Sequence, residues 1–230
     1  QKLEPEVYSF HLLDMIIREA EHNGITNFPI HIKIDTGMHR LGFAPEDMPE
    51  LVRRLQRQTA VIPCSVFSHF VGSDSADFDD FTKLQIERFN MASDTLQAAF
   101  KHHIIRHICN SAGIERFPQY QFDMVRLGIG IYGVSALPEV RLSPVASFKC
   151  KILQIKTLMP GDGTIGYGRH GKIAPEGTVI ATIPVGYADG LDRHLSRGAA
   201  SFSLNGRRVP TIGNICMDMT MLDITGVDAK

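Results

Sequence analysis

The sequence has no tryptophan, only four cysteines, and no excess of either charge. Cys64, Cys109, Cys150 and Cys216 lie far apart and form no C-x-x-C pair, so neither a cysteine zinc site nor a dithiol redox centre is expected. Unpaired thiols of this kind suit a reducing compartment, and a cytoplasmic location is expected. A net charge of −1 gives no general attraction to nucleic acid or to an anionic membrane, so neither is expected as a partner. No run of 18 apolar residues occurs, which argues against a membrane-spanning helix. The start, "QKLEPEVYSF", lacks the basic-then-apolar layout of a signal peptide. Histidines and methionines show no cluster at metal-ligand spacing, and no metal is expected.

What is present is the composition of a soluble globular protein, 43% hydrophobic and 21% charged, over a length that allows one large domain or two ordinary ones. The first part alternates helical and extended patterns. Residues 5–23 place Val7, Leu12, Leu13, Ile16, Ile17 and Ala20 at helical spacing, and Gly24 closes the segment. "FPIHIKID" (28–35) reads as a buried strand, 45–58 as a helix with Pro45 near its start, and "VIPCSVFSHF" (61–70) as a second strand. A long helix is expected over 78–102, its start marked by Asp74, Asp77, Asp79 and Asp80 and its end by His102-His103. "IIRHICN" (104–110) reads as a third strand, and 122–133 contains a fourth. Strands separated by helices imply a parallel sheet. About four strands are half of what a closed (β/α)8 barrel requires. After Leu137-Pro138 the helical patterns stop, and Asn205-Gly206 between extended runs is a strong hairpin signal. The expected organisation is a partial (β/α)8 (TIM) barrel over 1–137, followed by a β domain over 138–230.

Polar residues gather at the ends of the expected strands, where α/β sheets place ligands. Lys33 and Asp35 end the first, ahead of a turn at Gly37 that presents Arg40. His69 ends the second, Asn110 and Ser111 the third, and Arg126 the fourth, before Gly128 and Ile129. A hydroxyl at Ser111 with backbone N–H groups at Gly128 and Ile129 is a donor set suited to phosphate. Arg126 could serve that phosphate or a ring nitrogen. Taken singly, each has a plainer reading: Ser111 as a helix cap, His69 as a hydrogen-bonded core histidine, Lys33 as a solvated strand-end cation.

The segments "HIKIDTGMHRLGF", "HICNSAG", "DMVRLGIGIYG", "TIGYG", "VGYADGLDR" and "GNICMDM" together resemble, in order and spacing, the motif series of bacterial alanine racemases. The resemblance spans nearly the whole chain. It implies a barrel that carries pyridoxal 5′-phosphate, a following β domain, and a head-to-tail homodimer whose sites combine one barrel with the partner's β domain. It implies that L-alanine and D-alanine are interconverted by two bases, supplying D-alanine for peptidoglycan. By motif, Ser111, Gly128 and Ile129 would contact the cofactor phosphate, Arg126 its pyridine nitrogen, and His69 would support Arg126. Arg40 would contact the substrate carboxylate or the cofactor hydroxyl, and Lys33 matches a lysine often carbamylated. Met217 would touch substrate through its backbone, and Tyr167 would line the entrance. Tyr187 would be the base for the L-enantiomer. A free phenol has a pKa of about 10, so that role needs a cationic or hydrogen-bonded setting.

The same resemblance marks a departure. The family's cofactor lysine lies in a motif like V-K-A-N-A-Y-G, and no lysine of this sequence has that context. The tyrosine of that motif and a further phosphate tyrosine near the family's C-terminus have no counterpart either. The chain is therefore expected to be a piece of an alanine racemase, unable by itself to hold the cofactor covalently or to racemise alanine. A racemase of another amino acid and a non-catalytic module that binds the cofactor or phosphate are the competing readings.

Overall fold

A computed structural model describes residues 3–229 and divides into two compact units, Gln1–Ala146 and Ser147–Lys230. In the first, β1 (Glu6–Val7), β2 (Phe28–Lys33), β3 (Val61–Phe67) and β4 (Ile105–His107) form a parallel sheet in that order. The helices α1 (Phe10–His22), α2 (Met48–Gln56) and α3 (Asp79–Ala98) are its crossovers, and α4 (Ser111–Arg116) follows β4. Sequential strand order with one helix per crossover is the arrangement of a barrel arc.

Each helix follows from its local sequence. Ser9 caps α1 by accepting from the Leu12 N–H at 3.2 Å, and Gly24 ends the segment in the left-handed conformation at φ 65°. Leu13 and Ala20 of α1, Met48, Leu51 and Leu55 of α2, and Ile86, Phe89 and Leu96 of α3 are buried in one cluster with Ile30, Ile32 and Val66 of the sheet and Ile34 just after β2. Burying each large apolar side chain contributes about 1.5–3 kcal/mol.

Strand alternation puts the other face to a different use. His31, Lys33, Ser65, Phe67 and His107 occupy its positions on β2, β3 and β4. Between β2 and β3 the pairing skips a residue: Ile30 is opposite Pro63, yet His31 is opposite Ser65. Proline cannot donate to a ladder, and the bulge at Cys64 follows it directly.

Three sequence expectations change. The segment 5–23 begins with a short strand, because Glu6 and Val7 pair with His31 and Ile32 before the helix starts. The long helix ends at Ala98, so His102 and His103 lie beyond it; His102 Nε2 is 2.8 Å from the Pro63 carbonyl and His103 pairs with Asp123 at 3.1 Å. Residues 122–133 contain no strand. Their N–H groups are taken elsewhere: Asp123 donates to the Arg106 carbonyl, Arg126 to that of Cys109, and Gly128 and Gly130 to the Ser111 hydroxyl. A backbone satisfied in this way makes no ladder.

The second unit is built from β5 (Gln154–Leu158), β6 (Thr178–Ile183), β7 (Ser201–Leu204), β8 (Arg207–Pro210) and β9 (Thr220–Asp223). They form an antiparallel sheet in the order β5-β6-β9 and the hairpin β7-β8. Asn205 and Gly206, at φ 49° and 79°, make the expected hairpin turn. Among the described residues, none after Arg116 is in an α-helix, and no helix is long and apolar enough to cross a membrane.

Candidate active site

In the first unit, the residues after β4 bring the Ser111 hydroxyl against the loop that carries Arg126. Asn110 caps α4 by accepting from the Gly113 N–H at 2.9 Å, which leaves the Ser111 side chain free to turn toward the following loop. Its Oγ accepts from the N–H groups of Gly128 at 3.0 Å and Gly130 at 3.1 Å, with Ile129 between them. A Cβ on Gly130 would lie 2.7 Å from Leu127 Cδ1, the movable tip of an exposed side chain, and 3.4 Å from Ser111 Oγ. Both N–H groups are satisfied by Ser111 Oγ, so the donor this arrangement leaves for an oxyanion is the Ser111 O–H.

Arg126 enters the same site from the loop. Its Nη1 is 2.5 Å from His107 Nδ1, and its Nη2 is 3.3 Å from His69 Nδ1 and 3.2 Å from the Ile108 carbonyl. The guanidinium lies 5.2 Å from the Phe67 ring centroid, and His107 stacks on that ring at 4.9 Å and 4°. A guanidinium has donors only, so both histidines meet it with a bare nitrogen. Burial, followed by the charge of Arg126, pushes both down to about 4: Arg40 and Lys33 add to the effect at His69, and His31 at His107. Both rings are therefore neutral near pH 7. Arg126, Arg40 and Lys33 all stand near enough to His69 for their charges to act on it. Lys33 is 7% exposed and pairs with Glu6 at 3.1 Å.

Two residues that sequence reasoning passed over hold this group together. His107 was missed because the third strand was expected to run to Asn110; it ends at His107, which is therefore the strand-end polar residue. Gln85 lies on α3 and is fully buried. Its amide donates to Thr36 Oγ1 and the His69 carbonyl, both at 3.0 Å, and accepts from the Val71 N–H at 3.0 Å. One side chain thus ties the loop after β2 to the loop after β3. A buried glutamine on a helix's apolar face is the signal that could have found it.

The second unit presents a separate set. Gly186 has extended backbone, and the Tyr187–Asp189 turn follows, with Asp189 accepting from the Gly186 N–H at 2.9 Å. Tyr187 and Ala188 donate to the carbonyls of Cys216 and Met217 at 3.0 and 2.9 Å. Tyr187 is 41% exposed and Met217 59%. The Arg193 guanidinium lies 5.5 Å from the Tyr187 ring centroid, which supplies a nearby cation. Tyr167 is held by Asn214, whose amide donates to its carbonyl at 2.9 Å, and borders an open cleft of ≈ 680 Å³ shared with Cys216, Asp218 and Met219.

Comparison with known proteins fits this arrangement. Residues 1–136 match the family described as "Alanine racemase, N-terminal domain", and residues 145–230 match "Alanine racemase, C-terminal domain". The chain belongs to the alanine racemase family. It is 38% identical over 229 residues to alanine racemase 1 of Clostridium acetobutylicum, covering 97% of this chain and 58% of that protein. It is 37% identical to alanine racemase 2 of Bacillus subtilis, covering 92% and 54%. Its fold matches the alanine racemase from Streptomyces coelicolor A3(2) with a TM-score of 0.87 at 28% identity, covering 100% of this chain and 61% of that one. The alanine racemase from Bartonella henselae, whose structure has covalently bound pyridoxal phosphate, matches with a TM-score of 0.81 at 26% identity, covering 100% and 62%. The chain therefore spans 54–62% of the length of these relatives, and has the racemase barrel arc and C-terminal β fold.

Proposed function

We propose that this chain is the part of a pyridoxal-phosphate-dependent alanine racemase that anchors the cofactor's phosphate and ring nitrogen and supplies the base for L-alanine. The observation that carries the reading is the Ser111 hydroxyl within 3.0–3.1 Å of two loop N–H groups, in the same unit as a donor-only Arg126. Ser111, Gly128 and Ile129 would hold the phosphate. Arg126 would donate to the pyridine nitrogen and leave it unprotonated, which tunes the cofactor away from side reactions. His69 and His107 support Arg126. Bound pyridoxal phosphate supplies an electron sink that acidifies the substrate α-proton.

Tyr187 would accept that proton at its Oη, with the Arg193 guanidinium 5.5 Å from its ring centroid. Arg40 and the Met217 backbone would hold the substrate carboxylate, Tyr167 would line the entrance, and Lys33, if carbamylated, would become an anion able to orient Arg40. Exposure of both Tyr187 and Met217 supports a head-to-tail homodimer in which each site joins one barrel to the partner's β unit. The four free cysteines support a cytoplasmic setting, where the product D-alanine would serve peptidoglycan synthesis.

The chain alone has no lysine in a V-K-A-N-A-Y-G context. With pyridoxal phosphate and L-alanine it is expected to form D-alanine no faster than the cofactor does. The full-length protein that contains it is expected to racemise alanine, and Tyr187→Phe to slow the L-to-D direction at least about 100-fold. An unchanged L-to-D rate in Tyr187→Phe would overturn the reading.

A further inference from the structure

Three polar side chains on one face of the parallel sheet, and Glu4 just before β1, lead away from Arg126 in a line. Arg126 Nη1 is 2.5 Å from His107 Nδ1. His107 Nε2 is 3.3 Å from Ser65 Oγ. Ser65 Oγ is 2.6 Å from His31 Nδ1, and His31 Nε2 is 2.8 Å from Glu4 Oε2. The Arg126 end fixes the direction of the first bonds, and the Glu4 end fixes the last. A guanidinium only donates, so His107 Nδ1 accepts and the neutral ring carries its proton on Nε2. A carboxylate only accepts, so His31 Nε2 donates; the arrangement proposed below has His31 Nδ1 bare. Ser65 then accepts from His107 and donates to His31. The chain runs without a break from a cation to an anion.

We propose that Ser65, His31 and Glu4 are positioning residues for Arg126: they lock His107 as its Nε2–H tautomer, whose bare Nδ1 holds the guanidinium in place. The bulge in β3 makes this possible. Were the ladder regular after Pro63, Cys64 would stand opposite His31; the skipped residue puts the Ser65 hydroxyl there instead. Ser65 is 1% exposed, and the Phe67 ring stacked on His107 fixes the imidazole plane. Bonds aligned in one direction polarise one another, so His107 Nδ1 becomes a stronger acceptor than an isolated imidazole. The consequence for a cofactor ring rests on the reading of Arg126 given above; the hydrogen-bond chain itself is a property of these residues alone.

The test uses the isotope-labelled chain without cofactor, so failure of the racemase reading leaves its outcome unaffected. Long-range 1H–15N correlations near pH 7.5 report histidine tautomers directly. Both His107 and His31 are expected as Nε2–H forms; an Nδ1–H form or a cation at either overturns the proposal. Ser65→Ala is expected to speed rotation of the Arg126 guanidinium, read from its Nη exchange, roughly tenfold, and Ser65→Thr to restore it. Exchange that is unchanged in Ser65→Ala, or not restored by threonine, argues for a merely structural serine and overturns the proposal. Glu4→Ala alters only the exposed end of the chain. It is expected to shift the His31 tautomer ratio toward Nδ1–H roughly threefold, and an unchanged ratio likewise counts against the proposal.

Discussion

The backbone N–H of Tyr187 donates to the carbonyl of Cys216 at 3.0 Å, so the turn that presents the phenol is tied to the turn that presents Met217. Gly186 makes the approach possible, because a Cβ there would collide with the Cys216 carbonyl and the Met217 backbone. Its backbone is extended, at φ −142°, so the obstacle is space and not conformation. Gly186→Ala is expected to destabilise the second unit by about 1–3 kcal/mol, the usual range for overpacking. Urea denaturation followed by circular dichroism checks it; a midpoint equal to that of the parent chain would show that the two turns can separate freely.

Ser111→Ala removes the acceptor shared by Gly128 and Gly130. The full-length protein carrying it is expected to bind pyridoxal phosphate roughly tenfold more weakly, the effect of losing one hydrogen bond to a charged group. Cofactor titration followed by absorbance measures this. Equal affinity would remove Ser111 from the phosphate cradle.

His107 and His69 link stability to pH. Both have folded pKa values of about 4, below the ordinary histidine value of about 6.5. As pH falls below about 6.5 the unfolded chain gains protons that the folded chain refuses, so stability drops steadily until about pH 4. Above pH 6.5 both states hold neutral rings and these groups contribute no pH dependence. For the buried His107 the full loss is on the order of 2–3 kcal/mol. Denaturation across pH 4–7 is expected to show a shallower slope for His107→Gln, and an identical slope would contradict the assignment.

Gly206 occupies the β7-β8 turn at φ 79° and has nothing within 4 Å of a Cβ position. Gly206→Ala therefore probes conformation without crowding. It is expected to destabilise the second unit by about 1 kcal/mol. An unaltered thermal midpoint would mean that the turn relaxes to another type.

What was legible in the sequence was local or carried by specific motifs. The three crossover helices announced themselves by apolar spacing, and Asn205-Gly206 announced its hairpin. Ser111, Gly128, Arg126 and Tyr187 could be named as candidates because they lie in short contiguous motifs. The short strand at Glu6–Val7 was not readable, since two residues carry no period and acquire strand geometry only by pairing with His31 and Ile32. Residues 122–133 read as a strand because they are apolar, yet their N–H groups are satisfied by Ser111 and by carbonyls beside β4.

By itself, the sequence determined the three crossover helices with the strands between them, the change to an all-β unit, and the candidate polar side chains at the strand ends. Tertiary structure alone decided which of those side chains meet. His107 reaches Arg126, Gln85 ties two loops together, and Ser65 faces His31 because one strand skips a residue. Such contacts join positions 19 to 49 residues apart, and no local pattern encodes them. They follow from strand register and from the requirement that every buried polar group find a partner.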